Sequence, residues 1–209
     1  MSFSTDYTSF GNSLAAWLTD QDSSTITDIG VNLTADLISI GETRIFREVR
    51  TRDMETAFSD TITAGMLALP ASYLALKSAY LDASPNVSLE RRSAEWIRLS
   101  YPQSTTSGIP KFIARYGTNF IFGPYPDSNY SILGVYYKNI GPLSSSAHTL
   151  FTNNPDLYLF ASLAAAAPYL KDDKRVLLWE AQYKSALLDA QKQSDDEEGS
   201  GDALEIRAA

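Results

Sequence analysis

The sequence predicts an α+β fold: a helical bundle formed by the N- and C-terminal helices, with an inserted antiparallel β-sandwich or barrel-like module. Near both ends of the chain, apolar residues recur at three- and four-residue spacing, which is typical of helices with one buried face. From residue 55 the apolar period changes to two, and glycine and proline turns follow at short intervals. The terminal helices are too apolar to stand alone, so the simplest architecture packs them together.

The composition excludes several classes of protein. With 209 residues, of which 44% are apolar and 11% aromatic, the chain can bury a substantial core. It contains no cysteine, which excludes disulfides, thiolate catalysis and cysteine-bound metals. Its one histidine, His148, excludes a multi-histidine metal site within one subunit. We therefore expect neither a metal nor another cofactor.

The negative charge is concentrated at the C-terminal end of the chain. The net charge is −8, and residues 194–209 contribute −5 of it. A protein that grips DNA is expected to carry a basic stripe, so DNA can be a neighbour here but is not expected to be a tightly held ligand. The first residues lack the basic and apolar segments of a signal peptide, which predicts synthesis in the cytoplasm.

Two helices are predicted in the N-terminal part of the chain. Residues 5–19 place aromatic and leucine side chains on one stripe, which Gly11 weakens. Thr25 and Asp28 form a capping box that begins a longer helix. The apolar spacing of this second helix continues to about Arg50.

The last turns of this longer helix mix arginines with carboxylates. One interpretation is a solvated face on which Arg44 pairs with Glu48, four residues later. The other is a charged contact between subunits, because arginine is enriched at interfaces. Arg44, Arg47 and Arg50 are the candidate residues for such a contact.

The middle of the chain predicts about seven short strands, the number expected of a small sandwich or barrel. The turns at residues 64–65 and 117–118 each predict a hairpin between the strands that flank them. A short helix is predicted at residues 93–101. The other predicted strands cover residues 74–81, 87–91 and 130–138.

Residues 153–193 predict a helical hairpin, the most strongly helical part of the chain. Asn154 is suited to cap its first helix, and Pro155 to occupy the first helical position, where a missing N–H costs nothing. Residues 157–167 are apolar on every face, so this helix is predicted to lie in the core. It is too short for a membrane span.

The second helix of the hairpin places Trp179 and Tyr183 on an inward stripe, with Glu180 and Lys184 paired on the other side. We expect this helix to share a core with the long N-terminal helix. The residues expected in the shared core are Leu33, Leu37, Ile40, Leu163, Trp179 and Tyr183.

The chain is expected to end in a flexible acidic tail. Residues 194–201 are acidic, serine or glycine and have no apolar surface that would favour an ordered structure. Residues 203–207 alternate apolar and charged side chains, which predicts either a docking strand with Leu204 and Ile206 as contacts or a disordered end. The predicted organisation is a helical domain from residues 1–52 and 150–193, a β module at 53–149 and a tail at 194–209.

The sequence contains no constellation that predicts catalysis. It has no phosphate-binding glycine loop, nucleotide fingerprint or metal-ligand spacing. His148 follows the serines at 144–146, but no nucleophile elbow is present, which disfavours a hydrolase. Tyrosines could instead line a sugar-binding face, although strand tyrosines more often pack in cores and interfaces. The tyrosines in question are Tyr101, Tyr125, Tyr130, Tyr136 and Tyr137.

Four passages together resemble a family of tailed-phage virion proteins. Residues 32–55, NLTADLISIGETRIFREVRTRDME, resemble its helix with arginine-rich turns, and residues 64–73, AGMLALPASY, resemble its turn, strand and proline. Residues 120–137, with GPYPDSNYSILGVYY, are similar to its strand, proline-aspartate turn and tyrosine-ending strand. Residues 154–186, NPDLYLFASLAAAAPYLKDDKRVLLWEAQYKSA, resemble its closing helical hairpin.

The family is that of the head-to-tail connector, or adaptor, proteins of short-tailed phages. The resemblance implies a structural protein of the virion, without catalytic residues, that belongs to a dodecameric ring. It implies that the ring joins the portal protein to a tail or nozzle protein and lets DNA pass without specific binding, with no cofactor and no membrane. The rival interpretation is a carbohydrate- or receptor-binding virion module that uses the tyrosine-rich β face.

Overall fold

A computed structural model of the chain describes residues 6–19, 31–102, 107–166 and 175–199. These residues form two compact units. The β unit is Glu55–Asn139, and the helical unit consists of the described residues before and after it. The predicted α+β class is confirmed.

The helical unit is built around one apolar helix. Its helices are α1 (Tyr7–Thr19), α2 (Val31–Glu48), α4 (Thr149–Asn153), α5 (Pro155–Ala165) and α6 (Arg175–Gly199), while α3 (Ala94–Ser100) belongs to the β unit. Both α2 and α6 pack against α5, and α1 contacts α2 and α5. Leu157, Tyr158, Leu159 and Leu163 of α5 are all buried, because a helix that is apolar on every face is stable only when it is covered on most sides. As predicted, α5 lies in the core.

One residue of the predicted shared core is exposed. Leu37, Leu163, Trp179 and Tyr183 are buried as predicted, and Leu33 is half-buried. Ile40, in contrast, is 55% exposed, so that part of the prediction was wrong. The buried face of α2 is centred on Leu37, Ile38, Gly41 and Ile45, and Ile40 lies beyond its edge.

Gly41 permits the close approach of α2 to α5. A Cβ atom built on Gly41 would lie 2.9 Å from both the backbone nitrogen and the Oγ of Ser162. Ser162 cannot easily move away, because its hydroxyl donates a hydrogen bond of 2.8 Å to the carbonyl of Tyr158. The two helices can therefore be this close only with glycine at position 41.

The start of α5 differs in one detail from the prediction. Pro155 occupies the first turn of α5, as predicted, but the side chain of Asn154 makes no capping hydrogen bond there. Its amide instead donates to the carbonyl of Leu150, 3.4 Å away, at the end of the short helix α4. Helix α4 was not predicted, because its five residues are too few to show a helical period.

The predicted tail is helical over its first residues. Helix α6 continues to Gly199, which corrects the prediction that flexibility begins at residue 194. Arg52 anchors this part of α6, because its backbone N–H donates to Ser194 Oγ at 2.9 Å and its guanidinium donates to the carbonyl of Glu197 at 3.1 Å. Residues 200–209, with the docking candidates Leu204 and Ile206, lie outside the described residues, as does the predicted capping box at residues 25–28.

The β unit contains two four-stranded sheets. One has the order β1-β8-β3-β4 and the other β2-β7-β6-β5. The strands are β1 (Glu55–Ile62), β2 (Met66–Ala68), β3 (Tyr73–Leu81), β4 (Val87–Ser88), β5 (Glu90–Arg91), β6 (Phe112–Tyr116), β7 (Asn119–Gly123) and β8 (Tyr130–Lys138). All neighbours pair antiparallel except β5 and β6, which are parallel, so the second sheet is mixed rather than purely antiparallel.

One predicted strand pairing and one predicted strand were wrong. The hairpin at residues 64–65 does not form as a strand pair: β1 pairs with β8 and β2 pairs with β7, while Thr63 and Met66 form an isolated bridge. The predicted strand at 87–91 is divided into β4 and β5, which belong to different sheets. The hairpin at Gly117, whose φ is +61°, is confirmed by the pairing of β6 with β7.

The core of the β unit lies between residues of both sheets. The first sheet contributes Ile62, Leu76, Leu81 and Ile132, and the second contributes Leu67, Ile113, Phe120 and Phe122. The next residues along β6 and β7, Ala114 and Ile121, face the opposite way and pack with Ile97 of α3. Helix α3 therefore covers the outer face of the second sheet.

Candidate functional site

The first candidate contact residue, Arg44, is bound within the helical unit. Its guanidinium donates two hydrogen bonds of 2.7 Å to the two carboxylate oxygens of Glu180 on α6. Its Nε donates to Glu48 at 3.2 Å, which confirms the predicted pair four residues apart. The guanidinium also lies 4.0 Å from the ring centre of Tyr183, whose hydroxyl donates to Glu48 at 2.8 Å. Arg44 thus links α2 to α6.

The acid–base properties of this group follow from these contacts. The hydrogen bonds from Arg44 lower the pKa of Glu180, and the hydrogen bond to Glu180 raises the pKa of Arg44. Burial, followed by the hydrogen bond to Glu48, raises the pKa of Tyr183. Arg44 and Glu180 therefore both remain charged across the pH range in which proteins are usually studied.

The other two candidate arginines differ from each other. Arg50 is half-buried, and its guanidinium donates to the carbonyls of Phe46 and Val49. It satisfies carbonyl groups that the end of α2 would leave without a partner. Arg47 is exposed on α2, as are Ile40 and Thr43, which lie on the same face. Of the three candidates, Arg47 is the one whose side chain faces solvent.

Helix α6 carries an exposed apolar face that the sequence analysis missed. Leu177, Leu178 and Leu188 are 81%, 57% and 64% exposed, on the opposite side of the helix from Trp179 and Tyr183. The predicted stripe of α6 followed the buried residues alone. The adjacent leucines at 177 and 178 could have indicated this exposed face, because only one of two adjacent helical residues can lie in the centre of a buried face.

Helix α3 presents a second exposed surface, rich in aromatic and arginine side chains. Trp96 packs edge-to-face on Phe112, with ring centres 4.9 Å apart, and the guanidinium of Arg92 lies 5.2 Å from the Trp96 ring. Trp96 remains 38% exposed and Leu99, on the same helix, is 76% exposed. Exposed tryptophan and leucine on one short helix, with an arginine beside them, form the kind of surface that protein partners cover.

The tyrosines of the rival interpretation do not form one face. Tyr136 is buried in the β unit and donates a hydrogen bond of 3.3 Å to a backbone carbonyl. Tyr137 follows it on the strand and points to the opposite side of the sheet. Tyr130 packs against the core between the sheets, whereas Tyr101 and Tyr125 line a pocket of about 290 Å³ beside α3. The tyrosines therefore lie in three separate environments.

His148 has a structural contact rather than a catalytic geometry. Its Nδ1 accepts a hydrogen bond of 3.4 Å from the backbone N–H of Phe151 and so caps α4. Its Nε2 lies 3.5 Å from the hydroxyl of Tyr158. Burial lowers the pKa of His148, which favours the neutral ring that this capping hydrogen bond requires.

One carboxylate of the helical unit is buried. Glu42 is 5% exposed and accepts a hydrogen bond of 2.6 Å from the backbone N–H of Leu143. Burial raises the pKa of Glu42, and this hydrogen bond partly opposes the shift. Burial also raises the pKa of Tyr158, with a further contribution from the negative charge of Glu42. Glu42 holds the segment after β8 against α2.

The described part of the chain lacks two kinds of feature. Its His, Asp and Glu side chains form no group of three or more that could hold a metal ion. None of its helices combines the length and the apolar character that crossing a membrane requires.

The comparison with protein families decides which class of protein carries these surfaces. The family described as SU10 adaptor protein matches residues 5–205, almost the whole chain. The chain belongs to this adaptor family. The resemblance predicted from the four sequence passages is thereby confirmed at the level of the family. A search of curated proteins finds no match.

Membership in the family defines a structural role. The adaptor is a structural protein of the phage virion, located in the neck, where adaptors associate with portal and tail proteins. This class agrees with a molecule whose distinctive described features are exposed leucine, tryptophan and arginine surfaces.

Proposed function

We propose that this adaptor forms a ring, a dodecamer in the virion, that joins the portal protein to the tail or nozzle protein. DNA passes through the ring without specific binding. The ring forms when neighbouring subunits cover surfaces that a single subunit exposes. The observation that carries this proposal is the apolar face of α6, supported by the membership in the adaptor family.

The leucines on this face favour a protein partner over solvent. Leu177 and Leu188 lie three helical turns apart on one side of α6, and each is more than half exposed. Burying one leucine side chain contributes about 1.5–3 kcal/mol, a gain repeated at every contact of a symmetric ring. A contact between subunits on this face buries apolar surface that is otherwise exposed to water.

The charge of the chain supports passage of DNA rather than binding. The net charge is −8, and the β unit has seven lysines and arginines against six carboxylates, a charge of +1. A strong basic stripe along the channel would hold the phosphate backbone and slow its movement. A ring of mildly charged or acidic subunits leaves DNA free to move.

The test measures assembly with and without the purified portal protein. Mass photometry of the adaptor mixed with portal is expected to show one ring of twelve adaptors per portal ring. The variant L177S/L188S is expected to keep the circular dichroism spectrum and melting temperature of the wild type while losing the ring, and S185A serves as the control on the same helix. A wild-type adaptor that binds portal one copy at a time, so that portal rings with intermediate numbers of adaptors accumulate as its concentration rises, would contradict the proposal.

Two further parts of the chain belong to this proposal. Arg47 is the candidate for a charged subunit contact, since Arg44 and Arg50 have partners within the helical unit. Residues 200–209, with Leu204 and Ile206, are proposed to dock on the portal or a neighbouring adaptor. R47E is expected to weaken the ring and deletion of 200–209 to weaken attachment to the portal, with unchanged melting temperatures in both cases. Normal attachment by the truncated protein would remove the tail from the proposal.

A further inference from the structure

The β unit contains a groove lined by three arginines. It lies where β3 approaches β5 and β6, and it has a volume of about 260 Å³. Tyr73 and Phe120 line it together with Arg91, Arg92 and Arg115, and none of the described residues that line it is a carboxylate. The floor is therefore aromatic and the charged groups at its edge are positive.

The arginines are held in place by groups that do not neutralise them. Arg91 donates a hydrogen bond of 2.7 Å to the carbonyl of Leu76, and Arg115 donates to the carbonyl of Gly117 at 3.3 Å. The guanidinium of Arg115 also lies 5.6 Å from the centre of the Tyr73 ring. A guanidinium has five N–H donors, so these contacts leave donors available for a ligand. Both side chains are exposed at the edge of the groove.

The contacts of Arg92 and the causes that shift the pKa of Tyr73 both indicate a positive electrostatic potential in the groove. Arg92 pairs with Glu90 at 2.6 Å, and both side chains remain about half exposed, so solvent screens this pair. Burial raises the pKa of Tyr73, and the positive charges of Arg115 and Arg91 act in the opposite direction by favouring the phenolate. The groove is thus suited to a carboxylate-bearing segment, which guanidinium groups bind in bidentate geometry.

The chain itself contains a segment with this chemistry. The last turn of α6 carries Asp195, Asp196, Glu197 and Glu198, all exposed, and contains no basic residue. These carboxylates lie at the negative end of the helix dipole, where additional negative charge is unfavourable. Arg52 of the same chain donates to the backbone carbonyl of Glu197 in this turn, and the side chains of Asp195 and Asp196 are exposed. Outside the β unit the chain has a net charge of −9, compared with +1 within it.

We propose that the arginine groove of one copy receives the acidic last turn of α6 from a neighbouring copy. This inference rests on the proposed ring and names a contact that builds it. A ring needs a head-to-tail contact between two different surfaces of the same chain, and the groove and the acidic turn are such a pair. Duplex DNA is a poorer occupant, because three arginines around one small groove do not form the long basic stripe that a duplex requires.

Charge reversal tests the contact from both sides. The groove variant is R91E/R115E, the helix variant is D195K/D196K, and K111E is the control for a cation outside the groove. Each reversed variant is expected to need a roughly 100-fold higher protein concentration to form portal-bound rings, whereas K111E assembles normally. R115E alone, which retains the hydrogen bond of Arg91 to Leu76, provides a second groove variant in case the double variant does not fold.

Mixing identifies the partner. In an equimolar mixture, the groove variant and the helix variant offer each other opposite charges at every contact, so alternating rings are expected to return. A chain that carries both reversals is expected to assemble as well. Recovery by the doubly reversed chain without recovery by the mixture would place the contact within one chain and overturn the inference.

The remaining outcomes separate this inference from the proposed function. Normal rings from each reversed variant would overturn the groove contact and leave the ring intact. Absence of wild-type rings with portal present would overturn both. A groove variant that forms normal rings but loses binding to a short DNA duplex in a gel shift would assign the groove to DNA and overturn the contact with α6.

Discussion

Arg44 of the helical unit and the pair Arg91 and Arg115 of the β unit use their charge in opposite ways. In the helical unit, Arg44 is held by two carboxylates and an aromatic ring, and its charge is neutralised where it lies. In the β unit, Arg91 and Arg115 contact carbonyl oxygens and a ring, and they line a groove that lacks a carboxylate among its described residues. The first arrangement connects helices of one chain, and the second offers charge to another molecule.

The difference teaches how to interpret an arginine in a sequence. Arg44 belongs to the segment richest in arginine, which made it one of the three candidates for a subunit contact. Its role is decided by Glu180, which lies 136 residues away in the chain. Arg91 and Arg115 of the groove, in contrast, are well separated in the sequence and come to line the same groove only through the pairing of β5 with β6. Clustering in the sequence and clustering in space are therefore different properties.

The largest effect is expected in the core of the helical unit. Leu37→Ala removes a side chain that is 3% exposed and should lower the free energy of unfolding by about 2–5 kcal/mol. Ile40→Ala, on the exposed side of the same helix, should change it by less than about 0.5 kcal/mol. Chemical denaturation followed by far-ultraviolet circular dichroism measures both. Equal losses for the two variants would show that the buried face of α2 is assigned incorrectly.

A smaller effect is expected where α2 meets α5. Gly41→Ala places a methyl group 2.9 Å from the backbone of Ser162 and should destabilise the protein by about 1–3 kcal/mol. Gly11→Ala is the matched control, because a Cβ atom on Gly11 meets nothing within 4 Å. In a helix that substitution should stabilise by about 0.5–1 kcal/mol. Opposite signs in thermal melts support the close approach of the helices, and two stabilising results would contradict it.

The comparison of the two kinds of arginine can be tested directly. Arg44→Ala removes the bidentate partner of Glu180, which retains Lys184 at 3.8 Å, and the cation beside Glu48. It should destabilise the protein by about 1 kcal/mol, since the pair of Arg44 with Glu180 is about one-third exposed. Arg115→Ala should leave stability nearly unchanged and weaken ring assembly. Denaturation and mass photometry on both variants give the two readouts. If Arg115→Ala destabilises as much as Arg44→Ala, the distinction between the two units fails.

The smallest effect depends on pH. Burial raises the pKa of Glu42 in the folded state above its ordinary value of 4.5, so the folded protein holds this proton more tightly than the unfolded chain does. The stabilisation that Glu42 contributes to the folded state is fully present below about pH 4.5. It is lost as the pH rises through the pKa of Glu42 in the folded protein. Glu42→Gln keeps an oxygen that can accept from Leu143 and should melt at a higher temperature than the wild type at pH 7.

The same variant provides its own control at low pH. Near pH 3.5 the Glu42 carboxyl is protonated in both states, so the two proteins should melt at the same temperature. A lower melting temperature for Glu42→Gln at pH 7 would show that the charged hydrogen bond to Leu143 outweighs the effect of burial. Calorimetry at the two pH values decides between the two.

The helices could be predicted from the sequence because their signals are local. The apolar residues of α5 and the spacing of Trp179 and Tyr183 are contained within a few turns. The strands were also located, but not their partners, since β1 pairs with β8 across more than 60 residues rather than with β2 across the adjacent turn. A period of two shows which side chains share a face and carries no information about the neighbouring strand.

The contact surfaces were the part that sequence reasoning predicted least. Exposure of Leu177 and Leu188 depends on which side of α6 covers α5, and the arginine groove depends on the parallel pairing of β6 with β5, a strand of two residues. Strands of this length leave no periodic signal. The family resemblance, carried by long passages in the correct order, indicated the class of protein without indicating these residues.

The pairing of β1 with β8 has a consequence for how this protein can be changed. Glu55, the first residue of the β unit, lies opposite Tyr137, near its last, on adjacent antiparallel strands. Adjacent strands are about 5 Å apart, a gap that a linker of roughly three or four residues spans. The β unit is therefore a cassette with neighbouring ends. Replacing this segment by a short linker therefore joins two chain positions that already lie side by side.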